Sequence, residues 1–111
     1  MKPRKQRVPI ETGSGNVFAD IGVKNPQESL AKAHLLYRVT RILDERGLSR
    51  AAAAKILGVD QPKISALVRG RMEMFSVERL LRFLNALDQD VRIVVAPKPR
   101  GREARTSVEA A

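Results

Sequence analysis

Gln61, Lys63 and Ser65 stand close together in a stretch, residues 61–71, that also holds Arg69 and Arg71 and contains no Asp or Glu. A primary amide both donates and accepts hydrogen bonds, an ammonium group donates or meets an anion, and a hydroxyl does either. Side by side at one exposed helix end, these groups can read a flat hydrogen-bonding surface. The major-groove edges of duplex base pairs are such a surface. Adenine's edge asks for a donor and an acceptor together, which Gln61 supplies, and Lys63 can donate to guanine's acceptors or simply meet a phosphate. Ser65 follows Gln61 by four positions and therefore shares its face on a helix. Arg69, two turns beyond Gln61, is placed for backbone phosphate more than for bases, and Arg71 acts electrostatically. Arg50 and Lys55, just upstream, add phosphate contacts.

Two short helical patterns meeting at a tight corner must position these groups. Ser49 can cap the first, with Ala53, Ile56 and Leu57 facing inward, and the run Ala51 to Ala54 allows close approach to a neighbouring helix. Gly58 stops it, Val59 plugs the corner, and Asp60 can accept from the free amides of the second helix. Pro62 is tolerated in that first turn, where its missing N–H would have no intrahelical acceptor. Ile64, Leu67 and Val68 form the expected buried face, and Gly70 ends the run.

A longer helix is expected before this pair, starting near Asn25 with Pro26 at its first position and Glu28 in its first turn. Leu35, Leu36, Val39, Ile42 and Leu43 give it one apolar stripe, and Gly47 closes it. A fourth helix follows, capped by Ser76, with Val77, Leu80, Leu81, Leu84 and Leu87 as its stripe and Phe83 widening it. The period then changes. Residues 90–96 are β-branched and closed by Pro97, the pattern of a strand with Val91, Ile93 and Val95 on one face. One strand after four helices needs a backbone partner. The same strand of a second subunit is the favoured one. Residues 8–10 or the apolar island around Phe18 and Ile21 are the internal alternative. Residues 1–16 read as a flexible basic arm, residues 17–97 as the domain, and residues 98–111 as a mobile basic tail.

Composition narrows the function. The 111 residues carry 21 Lys and Arg against 12 Asp and Glu, a formal charge of +9, which favours an anionic partner. The absence of cysteine excludes disulfides and thiolate–zinc sites, and no apolar stretch reaches membrane-spanning length, so a cytoplasmic protein is expected. The basic start has no apolar signal core after it, which argues against export. His34 is the only histidine, and the acidic pairs sit at helix ends without a coordinating pattern. The expectation is a non-enzyme without metal or cofactor.

Residues of about 35 to 87 resemble the helix-turn-helix domain of the phage-repressor/Cro (XRE) family. The resemblance rests on the run from Leu48 to Gly70, with Ala54 at the small-residue crossing, Gly58 at the turn, Ile64 and Leu67 as anchors, and Gln61 at a frequent base-contacting position. Arg50 departs from the glutamine often found at the start of the supporting helix. The buttress that such a glutamine makes is therefore not implied here, and a direct Arg50–phosphate contact is favoured. Residues of about 14 to 97, including the Phe18 island and the Val91 to Val95 strand, are similar to small XRE-type antitoxins of the HigA kind.

The resemblance implies an all-α bundle of four to five helices with one C-terminal β-strand paired across a dimer. It implies a double-stranded DNA-binding repressor, nucleoid-associated when on its operator, that forms a homodimer through Val91, Ile93 and Val95. It further implies the autorepressing antitoxin of a HigBA-type pair, neutralising a RelE/HigB-like toxin. A stand-alone or phage-derived repressor with no toxin is the alternative. An RNA-binding adaptor is disfavoured, because Tyr37, Phe18, Phe75 and Phe83 do not form an exposed stacking set.

Overall fold

In a computed structural model of the chain, residues 26–110 are described. The basic arm, the Phe18 island and the expected helix start at Asn25 lie outside them. Helix α1 occupies Pro26–Glu45 and buries Ala31 together with the five expected stripe residues Leu35, Leu36, Val39, Ile42 and Leu43. Gly47 then turns the chain with φ of +60°, and the Leu48 N–H donates to the Leu43 carbonyl at 3.1 Å. That left-handed turn satisfies a carbonyl that the helix end leaves open.

Helices α2 (Arg50–Leu57), α3 (Gln61–Val68) and α4 (Val77–Ala86) each begin at the anticipated cap. Ser49 Oγ accepts from the Ala52 N–H at 3.1 Å, Asp60 Oδ1 from the Lys63 N–H at 2.9 Å, and Ser76 Oγ from the Arg79 N–H at 3.1 Å. A short 3-10 turn, Met72–Met74, separates α3 from α4. Helix α1 packs against α4, α3 and this turn, while α2 packs against α3 and α4. Val39, Ile64, Leu67, Leu80 and Leu87 lie at the centre of the resulting core. Arg46 donates to the Leu87 carbonyl at 2.7 Å, tying the ends of α1 and α4 together.

Three inward-facing assignments are corrected. Ile56, Val68 and Val77 are 41%, 50% and 41% exposed. In an eight-residue helix only about two turns exist, so a single face cannot take every apolar side chain. Helix α2 buries Ala53, Ala54 and Leu57, and α3 buries Ile64, Ala66 and Leu67. In α4 the face centres on Leu80, Phe83, Leu84 and Leu87, which leaves Leu81 half-buried and rotates Val77 outward. Phe83 meets Phe75 edge-on at 5.9 Å, a geometry that favours contact between ring edge and ring face. Helix α4 closes with Asp88 in the left-handed region, φ of 65°, a place usually held by glycine.

The strand expected over residues 90–96 is also corrected: the described residues contain helices and turns and no strand. Val91 is half-buried against the core, and residues 92–96 are exposed, Ile93, Val94 and Val95 by 73%, 76% and 92%. Strand propensity is not sufficient, because a strand exists only as part of a hydrogen-bonded ladder. The chain beyond Pro97 returns, with Val108 half-buried against the core.

Burial pushes the Glu28 carboxyl in the first turn of α1 above its ordinary value of 4.5. The folded state then holds this proton more tightly than the unfolded chain does, so its contribution to stability is full below pH 4.5 and is lost as the pH rises through the raised value. Urea titrations across this range should show Glu28→Gln abolishing that part of the slope. An unaltered slope would assign the pH dependence to other carboxylates.

Candidate nucleic-acid interface

Gly58 makes the interface possible. Its φ of +72° lets the chain leave α2 sharply, and its N–H and that of Val59 both donate to the Ala54 carbonyl, at 2.9 and 3.0 Å. A side chain there would be strained by the left-handed backbone, although nothing lies within 4 Å of an added Cβ. The corner sets α3 across α2, while Ile64 and Leu67 bind α3 to the core through its inner side.

The outer side of α3 can be laid out from helix geometry. At about 100° per residue, Val68, Gln61, Ser65 and Arg69 fall within one arc of about 100°. Gln61, Val68 and Arg69 are exposed and Ser65 is half-buried. Lys63 does not join them. It lies about 200° around the helix from Gln61, on the side away from the arc and between Ala66 and Leu67, and is half-buried. The fold thus brings Gln61 and Ser65 together as anticipated, adds Arg69 to their face, and separates Lys63. Pro62, also exposed, sits at the edge of the arc.

Val68 is the member of this face that sequence reasoning missed, because a valine between Leu67 and Arg69 looks like core. It lines a shallow groove with Tyr37 and Arg41 of α1, Arg50 of α2 and Ile64 of α3. An exposed apolar side chain on this arc is suited to a thymine methyl group.

Four candidate phosphate-contacting cations lie on or next to the two helices in sequence. Arg50 and Lys55 on α2, and Arg69 and Arg71 after α3, are all exposed. The ion pair Arg41–Glu45 on α1, at 2.9 Å, involves none of these four, and none of them is ion-paired among the described residues. Arg50 does more than present charge. Its Nη1 donates to Ser65 Oγ, bridging the first residue of α2 to the second turn of α3. A link between the two helices therefore exists after all, made by arginine and directed to Ser65.

A family described as the helix-turn-helix domain matches residues 17–96. A solved structure named for the XRE family of transcriptional regulators is 52% identical, with a TM-score of 0.75, over 79% of this chain and 100% of its own. The chain belongs to the XRE helix-turn-helix family. Membership makes it a DNA-binding regulator by family. No curated protein sequence matches it. In an XRE-family frame, α2 is the supporting helix and α3 the reading helix, whose exposed arc is the surface available to a groove. No helix among the described residues is long and apolar enough to cross a membrane.

Proposed function

We propose that this XRE-family protein is a sequence-specific, double-stranded DNA-binding transcriptional repressor. The observation that carries this reading is the outward arc of α3, with Gln61 and Arg69 exposed and Ser65 half-buried and bonded to Arg50, in a region whose cations Arg50, Lys55 and Arg71 are exposed and form no ion pair among the described residues. Gln61 and Ser65 read base edges and Val68 meets a thymine methyl, while Arg50, Lys55, Arg69 and Arg71 hold phosphates. Lys63, on the side of α3 away from this arc, takes no base in this reading.

Binding of fluorescent duplexes at several salt concentrations tests this. Each phosphate contact releases condensed counterions, so affinity must fall steeply as salt rises. Arg69→Ala should weaken preferred and random duplexes about equally and lower the salt slope by about one. Failure of every duplex to bind at low salt would remove the function.

The repressor acts as a homodimer in this reading. Ile93, Val94 and Val95 form an exposed apolar run with no ladder among the described residues, and residues 90–96 become a strand when a second copy supplies the partner edge. Val91 is already engaged with its own core, so Ile93 and Val95 carry the contact. Ile93→Pro removes a ladder hydrogen bond and should shift the molecular mass in solution from dimer toward monomer. An unchanged mass would reject the ribbon.

The finer role, autorepressing antitoxin to a RelE/HigB-like toxin, rests on the resemblance of residues 14–97 to HigA-type proteins. A short, basic reading frame beside the gene whose product co-purifies with this chain would support it. Its absence would leave the stand-alone repressor.

A further inference from the structure

We propose that Arg50 is a positioning residue that turns Ser65 into a donor, so that Ser65 selects a keto group over an exocyclic amine at one base in the major groove. This rests on the reading of α3 as the helix that enters the groove. A serine hydroxyl has one proton to donate and two lone pairs, and unassisted it accepts from amines as readily as it donates to carbonyls. Here Arg50 Nη1 occupies a lone pair of Ser65 Oγ. The guanidinium charge repels the hydroxyl hydrogen, which therefore points away from α2, toward the face shared with Gln61 and Arg69.

The same charge disfavours an approaching N–H donor. Adenine N6 and cytosine N4 carry amino hydrogens, whereas guanine O6 and thymine O4 only accept. Each base pair shows one keto and one amino group in the major groove, so the preference is for orientation: G·C or T·A over C·G or A·T on the strand nearest Ser65. The bridge is charge-assisted and so stronger than a neutral one. It engages one of the five guanidinium donors, leaving the others for a phosphate. Arg50 thereby couples backbone contact to base choice, through a residue fifteen positions away and across the corner.

Selection of bound sequences from random duplexes, followed by affinity measurements on single-position variants of the best site, tests the proposal with the full chain. The wild type should show one position with a keto preference of roughly three- to tenfold, the size of one neutral hydrogen bond. Ser65→Ala should flatten that position and no other. Arg50→Ala should flatten the same position while also lowering affinity for every duplex, and adding Ser65→Ala to it should leave the preference profile unchanged. Arg50→Lys, which keeps charge and a donor, should retain the preference. A keto preference that survives Arg50→Ala, or an amino preference at the position lost in Ser65→Ala, would overturn the coupling alone. A wild type that binds duplexes without any sequence preference would overturn both the coupling and the reading beneath it.

Discussion

Leu67→Ala should lower the unfolding free energy by about 2–5 kcal/mol, the range for truncating a buried leucine whose cavity cannot fully collapse. Leu67 is fully buried on the inner side of α3, among the residues that join this helix to the rest of the core. A domain of this size has only about 5–15 kcal/mol in total, so the variant should unfold at much lower urea. Leu67→Met, which conserves volume, should cost less than about 1.5 kcal/mol. Because Leu67 lies opposite the exposed arc, the folded fraction should still recognise the same duplex. A cost for Leu67→Ala below that of the methionine variant would show that α3 is not anchored through this residue.

Gln61→Ala should have the second large effect, and on binding instead of folding. Gln61 is exposed at the first position of α3, so its truncation leaves the core intact. On the preferred duplex the loss should be about 1–3 kcal/mol, the discrimination carried by a well-placed amide on a base edge. On random duplex it should be near zero, so the variant becomes less selective while its salt slope stays the same. Anisotropy titrations on both duplexes provide the measurement. Equal losses on the two would demote Gln61 to a phosphate contact.

These two residues illustrate what was legible beforehand. Leu67 and Gln61 are placed by local rules: a cap at Asp60, a helix of 3.6 residues per turn and an anchor three positions after Ile64. Ser49, Asp60 and Ser76 were readable as caps because a short side-chain oxygen beside a helix start has few competing uses. Val68, Ile56 and Val77 were misread for the opposite reason. Hydrophobicity states only that burial would be favourable, and whether a neighbouring helix covers a given side chain depends on how the helices cross. Asp88 was legible as a polar residue at a helix end, but its left-handed backbone was not, because glycine is the usual signal for that conformation and here an aspartate takes the position.

The strand over residues 90–96 marks a deeper limit. Alternating β-branched residues express a preference, but the ladder that would realise it needs a second edge, which the described residues of one chain do not contain. Arg50 is a comparable case at the interface. Its type and position suggested a phosphate contact, and its bond to Ser65 joins residues fifteen apart that no local pattern connects.

Sequence alone determined the helix starts at Ser49, Asp60 and Ser76, the turns at Gly47 and Gly58, the main core anchors, the excess of positive charge and the resemblance to the family. All of these follow from interactions between near neighbours or from composition. Tertiary structure decided that Val68 stays exposed while Ile64, Ala66 and Leu67 are covered, and that Arg50 holds Ser65. Those outcomes depend on how α2 and α3 cross over a shared core, a relation between distant parts of the chain that local periodicity does not encode.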